Sequence, residues 1–236
     1  MNKGYGQYCP LALAAEILSQ RWTILVISRL IDGCTRFNEI HRGLPRMSPT
    51  LLTKRLAELE NAGLVKRQKE RGRDRYRYLL TPSGEELEEI VMQMAVWGQR
   101  WARDMTTDDL DPAFLAWSMH LRLDTSVMPP GQTVMEFRFS GSPEQLDRFW
   151  LVKQADTVQM CLRDPGLEVD LLVRADLRRF IETWRGFRNL RKEIRSGRIK
   201  LAGPKELKNS FPHWLQLSTL APYKRQRSGR ERRLVR

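Results

Sequence analysis

The chain is poor in the residues from which metal sites and covalent catalysis are usually built. Its 236 residues include three cysteines (Cys9, Cys34, Cys161) and three histidines (His41, His120, His213). The cysteines are far apart, odd in number and form no CxxC pair, which argues against a disulfide framework and against a zinc site. The histidines are as scattered, so neither a metal nor another cofactor is expected. There is no Gly-rich phosphate loop, no HExxH and no nucleophile elbow, and catalysis is not expected either. No apolar run approaches the ~18 to 20 residues of a membrane span. The opening MNKGYGQYCPLALAAEILSQRW interrupts its short apolar stretch with Glu16 and shows no signal-peptide cleavage pattern. A cytoplasmic protein with no membrane association is expected.

What the chain does have is positive charge, unevenly placed. The net charge is +13. Residues 1–104 hold 17 Lys and Arg against 12 Asp and Glu, residues 105–221 hold 17 against 15, and residues 222–236 hold 7 against 1. The excess therefore sits at the two ends. A local positive field fits a polyanion such as nucleic acid, whereas a basic tail like YKRQRSGRERRLVR is equally readable as a flexible, solvated end.

The first hundred residues carry a legible order of elements. LALAAEILSQ (residues 11–20) reads as a short amphipathic helix, and RWTILVISRLID (21–32) as a second, largely buried one stopped by Gly33. Thr35 is placed to cap a third helix, with Arg36 in its first turn, Phe37 and Ile40 inward, and Gly43 and Pro45 at its end. Ser48-Pro49 opens a fourth, with Ser as N-cap and Pro in the first turn. Leu52, Leu56, Leu59 and Ala62 form its apolar stripe, and Asn61-Ala62-Gly63 is its stop. LVKRQKE and RYRYLLTP flank a Gly-containing turn and read as a β-hairpin. Within RGRDRYRYLL, strand alternation puts Arg73, Arg75 and Arg77 on one face and Tyr76, Tyr78 and Leu80 on the other. A long helix follows, with Leu87, Ile90, Val91, Met94, Trp97 and Trp101 at spacings of three and four. Helix, helix, short turn, Pro-capped helix, hairpin, helix is the order of a winged helix-turn-helix, whose reading helix enters the major groove.

The residues also carry a family resemblance. Cys9-Pro10, Arg21-Trp22-Thr23, Arg36-Phe37, Glu39-Ile40, Leu44-Pro45, Ser48-Pro49, Leu52-Thr53, Arg55-Leu56, Leu59-Glu60, Gly63-Leu64-Val65 and the Leu80-Thr81-Pro82-x-Gly84 exit resemble the HxlR family of bacterial transcription regulators, relatives of MarR. The likeness covers about 95 residues in register. It implies a homodimer on double-stranded DNA at a palindromic operator, with terminal helices forming the dimer seam. On the face of the fourth helix opposite the leucines, Ser48, Pro49, Thr50, Thr53 and Lys54 are the candidates for base or phosphate contact, the helix N-terminus being suited to phosphate. Arg36, Arg46 and Arg55 flank that face as backbone candidates, and Arg73 and Arg75 are the wing's. Some relatives sense oxidants through a cysteine at the position of Cys9. Its place just before a helix favours a thiolate, and the alternative is a small side chain packed in the dimer seam.

The second half alternates differently. Val134, Glu136 and Arg138 against Met135, Phe137 and Phe139 mark a strand, and Leu167, Val169, Leu171 and Val173 mark another. Val169-Asp170-Leu171-Leu172-Val173, Ala175-Asp176, a helix with Phe180 and Trp184, Arg195-Ser196-Gly197-Arg198-Ile199-Lys200-Leu201-x-Gly203-Pro204 and Phe211-Pro212-x-Trp214 look like a sterol-carrier-protein-type lipid-binding domain. That resemblance implies a twisted sheet with covering helices around an apolar tunnel, and an apolar small molecule or lipid as effector. Phe149, Trp150, Met160, Phe180, Trp184, Phe187 and Leu190 are the candidate lining. They are also large enough to fill the space as an ordinary core. The expected architecture is α+β: a winged helix-turn-helix with dimerisation helices over 1–106, a linker with a helix over 107–131, the sterol-carrier-like domain over 132–221 and a basic flexible tail over 222–236. The expected function is a transcription regulator, a repressor gated by an apolar molecule. The alternative is a redox-responsive repressor switched through Cys9 with a structural C-terminal half.

Overall fold

The computed structural model describes residues 4–70, 72, 75–143 and 146–227. It divides into two compact units, Met1–Met94 and Ala95–Arg236. The first unit begins with α1 (Pro10–Leu18), α2 (Thr23–Ile31), α3 (Phe37–Arg42) and α4 (Pro49–Asn61), followed by strands β1 (Val65–Lys69) and β2 (Tyr76–Leu80). A short helix α5 (Pro82–Glu85) leads into α6 (Leu87–Trp101). Val26, Ile27, Ile40, Leu52, Leu56 and Leu59 are buried, so the leucine stripe of α4 faces inward as its spacing predicts. Helix α2 packs against both α3 and α4, and α4 packs against β1.

Local chemistry sets the limits of α4. The Ser48 hydroxyl accepts from the Leu51 amide at 3.3 Å, Pro49 occupies the first turn, and Gly63 leaves the helix at φ +74°. The third helix is capped differently from the expectation. Thr35 does not cap it; the Glu39 carboxylate reaches back to the Thr35 and Arg36 amides at 3.0 and 2.9 Å. Glutamate at the third helical position reaches back to the amide of the N-cap and of the residue before it, which is the acid half of a capping box.

The hairpin pairs β1 with β2 inside LVKRQKE and RYRYLLTP, and residues 71, 73 and 74 lie outside the described chain. Strand β2 starts only at Tyr76, in register with Lys69, and Arg75 lies before it, its carbonyl accepting from the Glu70 amide at 2.9 Å. Tyr76 does not hold the hairpin against the core. It is exposed and lies under the Arg67 guanidinium, 3.7 Å from the ring centroid. Tyr78 does anchor the hairpin, through its amide to the Thr35 carbonyl at 2.7 Å. At the hairpin's base, the Thr81 and Ser83 hydroxyls both donate to the Gly63 carbonyl. Gly84 lies so close that an added Cβ would stand 2.2 Å from the Leu64 carbonyl oxygen, which only glycine tolerates.

The second unit contains the last turns of α6, α7 (Pro112–His120), β3 (Thr133–Ser140), β4 (Arg148–Gln154), β5 (Thr157–Cys161), β6 (Leu171–Asp176), α8 (Leu177–Trp184), α9 (Leu190–Arg195), β7 (Ile199–Ala202) and α10 (Lys205–Trp214). The strands form one sheet in the order β5-β4-β3-β6-β7, antiparallel except for the central β3–β6 pair. The compact units meet inside α6, between Met94 and Ala95, and in the turns beyond Gln99 is buried and bonded to the Arg185 carbonyl and guanidinium. Two expectations change here. Residues 107–131 are not a linker: Leu110, Leu115, Ala116, Met119 and Met128 lie in the main core, and Lys153 fastens Pro129 and Gly131 by their carbonyls at 2.7 and 3.0 Å. The start of the tail is docked, with the Gln226 and Arg227 amides on the Arg100 carbonyl and Arg225 paired with Asp104 at 3.0 Å. Residues 228–236 lie outside the described chain.

Met135, Phe137 and Phe139 of β3 face the helices, and the phenylalanine rings build an aromatic centre: the Phe137 centroid lies 5.0 Å from that of Phe149, stacked, and 6.0 Å from that of Phe180, edge to face. Removing the central ring by Phe137→Ala is expected to cost about 3–5 kcal/mol. Urea unfolding followed by near-ultraviolet circular dichroism measures it, and a loss under ~1 kcal/mol would contradict the packing described.

Candidate nucleic-acid interface

The inward leucines of α4 dictate its outward face. Thr50, Thr53, Lys54 and Ala57 are exposed there, with Ser48 and Pro49 exposed at its start. Thr53 folds its hydroxyl back onto the Pro49 carbonyl at 3.1 Å, which leaves the hydroxyl oxygen able to accept from a base edge. Lys54 extends mostly into solvent, 3.9 Å from Glu58. Helix α3 is tied to the start of α4 by His41 Nε2 at 2.8 Å from the Met47 carbonyl. That bond joins the end of α3 to the turn that leads into α4.

The arginines named from sequence fall into different environments. Arg46 and Arg75 are exposed, and Arg73 lies outside the described residues. Arg55 is largely enclosed: its Nε donates to the Arg21 carbonyl at 3.0 Å and its other end pairs with Glu58. It braces the turn at Trp22, which precedes α2 with φ +79° in the left-handed region. Arg36 is also engaged, at 3.2 Å from Glu70. The same Glu70 oxygen accepts from Arg77 Nε at 2.6 Å. One carboxylate thus joins the start of α3 to both strands of the hairpin. No local pattern announces it, because Arg36 and Glu70 are 34 positions apart. Lys66, Arg67 and Lys69 of β1 are exposed on the same hairpin and were not singled out from sequence, where they lack the alternation of 71–77.

Of the cysteines, Cys9 is exposed at the N-cap of α1, so it is not a packed core residue of the single chain. Cys34 is buried, and burial with nearby Asp32 pushes its thiol up to about 11, keeping it protonated at neutral pH. The candidate pocket lining separates into two faces. Phe149, Phe180, Trp184 and Leu190 belong to the main core with Met160 against it, whereas Trp150 joins Val134 and Val152 on the opposite face of the sheet. Adjacent residues of a strand point to opposite faces, so Phe149 and Trp150 cannot line one pocket. Phe187 stands apart from that core, with the Arg185 guanidinium 4.7 Å from its ring.

Hydrogen bonds from Arg77 and Arg36 hold the Glu70 carboxyl below its ordinary value. A group lowered in the folded state stabilises it above the ordinary carboxylate range and stops doing so as pH falls through the folded value. Hydrogen exchange should therefore show the amides at 70 and 78 losing protection in acid, while Glu70→Gln lowers protection at neutral pH and flattens that dependence. Identical exchange in both proteins at every pH would exclude the clamp.

The profile of the HxlR-like helix-turn-helix family matches residues 17–106. The HTH-type transcriptional regulator YvaP of Bacillus subtilis is 37% identical over 111 residues, 46% of this chain and 95% of that protein. The B. subtilis regulator YodB is 35% identical over 95 residues, 39% of this chain and 85% of that protein. A solved structure of reduced YodB aligns with 39% of this chain and 93% of its own length at a TM-score of 0.35. With these residues aligned over nearly the whole of a relative, the chain belongs to the HxlR-like helix-turn-helix family of transcription regulators.

Proposed function

We propose that the chain represses transcription as a homodimer bound to a palindromic operator, reading bases with the outward face of α4. Regulators of this family bind DNA, typically as dimers. The observation that carries the reading is the division of α4: leucines inward, and Ser48, Thr50, Thr53 and Lys54 outward with no acidic residue in the first turn. Pro49 has no N–H and the Leu51 amide is held by Ser48, so the Thr50 amide is the donor that this helix start turns toward a phosphate. Arg46, Arg75 and the arginine at 73 supply backbone attraction. Arg36 and Arg55, already paired within the protein, orient the motif. The exposed apolar stripe of α6 (Ile90, Met94, Trp97, Trp101) and the exposed Leu11 and Leu13 of α1 offer the dimer seam. The second unit acts as a sterol-carrier-like receiver for an apolar small molecule or lipid, held among Phe149, Met160, Phe180, Trp184 and Leu190. Such a molecule shifts DNA binding only if it prefers one of two conformations.

The exposure of Cys9 at a helix start favours a second reading, in which oxidation there releases the operator. Cys9→Ser separates the two readings: a lost oxidant response supports the second, and an unchanged one excludes it.

The decisive experiment is selection of bound genomic fragments by the purified full chain at two salt concentrations. A short palindrome retained at the higher salt is expected. Thr50→Ala/Thr53→Ala should weaken discrimination between that site and a scrambled duplex by about 1–3 kcal/mol. Undiminished discrimination in the double variant would remove α4 as the reader.

A further inference from the structure

The sheet of the second unit has a second face, turned away from α7, α8 and the aromatic centre. One row of side chains crosses it in register. Arg148 of β4 lies opposite Arg138 of β3, Arg138 opposite Arg174 of β6, and Arg174 opposite Lys200 of β7. Neighbouring strands stand about 4.8 Å apart, so the four cations span roughly 14 Å. Like charges directly opposite in a sheet repel and destabilise it.

Two of the four are compensated where they stand. Arg138 pairs with Glu136 of its own strand, and Arg148 with Asp147 at 3.0 Å. Arg174 and Lys200 are exposed, and among the described residues neither is seen in an ion pair. Asp176, the acid further along β6, is used to cap α8, accepting from the Arg179 amide at 2.9 Å. Arg198, immediately before β7, is exposed as well. The exposed half of the row therefore keeps a repulsion that an external anion would relieve.

The geometry points to a second polyanion contact: the outer sheet face, through Arg174 and Lys200 with Arg138 beside them, holds the phosphate backbone of double-stranded DNA outside the site read by α4. This rests on the reading of the first unit as DNA-binding. Guanidinium groups match phosphate oxygens in geometry as well as in charge, and contacts of this kind position without reading sequence. A single strand would need an aromatic platform for its bases. Trp150, the aromatic ring in the next row of this face, is only 5% exposed. A membrane surface would need apolar side chains to insert, and among the described residues none of the exposed large apolar side chains lies on β3, β4, β6 or β7. Covalent linkage to a DNA-binding unit raises the local concentration of duplex at this face.

The test is fluorescence anisotropy of the full chain with a mixed-sequence DNA duplex several helical turns long, titrated with salt. Arg174→Gln/Lys200→Gln is expected to weaken binding to every sequence alike. It should also reduce the slope of log affinity against log salt by about 0.9 for each phosphate that the variant no longer neutralises. Far-ultraviolet circular dichroism should be unchanged, since both side chains are exposed. Equal slope and affinity in variant and wild type would overturn the proposal. So would loss of binding to anionic phospholipid vesicles with an unaltered DNA slope, which assigns the face to a membrane. The α4 reading fails separately: if Thr50→Ala/Thr53→Ala keeps its discrimination while the sheet variant still shows the smaller slope, only the reading helix is reassigned.

Discussion

Burial of Leu52, Leu56 and Leu59 against α2 and β1 is the constraint on which the first unit depends. A helix with one side committed to a core has no choice about the other. Thr50, Thr53 and Lys54 face outward because the leucines face inward, at spacings the chain covalently imposes. The remaining elements set the attitude of that helix. His41 ties α3 to its start, Arg55 braces the turn into α2, and the Thr81–Gly84 exit fastens the hairpin to Gly63 and Leu64. The three bonds run from a side chain to a backbone carbonyl, so they hold the main chain without engaging Ser48, Thr50, Thr53 or Lys54.

The parts legible in the sequence are those set by neighbours along the chain. Ser48-Pro49 and Ala62-Gly63 mark α4 because capping is a local event. Alternation over 134–139 gives β3 and its two faces. The wing is different. The arginines at 71–77 alternate as letters, and the letters do not say that Arg77 is committed to Glu70. Glu70 was silent for a related reason: its importance lies in Arg36 and Arg77, which the fold brings to it. Pro129-Pro130-Gly131 has the composition of a boundary, and no local signal reveals that the amine of Lys153 would secure it to the sheet. The adjacency of Phe149 and Trp150 was decodable, because strand periodicity already forbids a shared pocket.

Charge is handled differently in the two units. In the first, acids are spent on holding arginines in place, as Glu70 and Glu58 do, so the cations left outward are those on the α4 face and the hairpin. In the second, the sheet sorts its side chains by strand parity, phenylalanine rings on one face and a cationic row on the other, where Trp150 also lies. The near-neutral balance of residues 105–221 conceals this, since a regional sum counts charges without recording which side of a strand they occupy.

Helix α6 has an optical consequence. Of the seven tryptophans, Trp97 and Trp101 are 63% and 48% exposed, Trp22 is half-buried, and Trp117, Trp150, Trp184 and Trp214 are buried. The long-wavelength part of the protein's intrinsic emission, and its quenching by a dissolved collider, therefore draw mainly on one stripe of one helix, with Trp22 adding to it. Whatever covers that stripe, a second copy of the chain included, announces itself as a blue shift, and the unlabelled protein carries its own gauge of association.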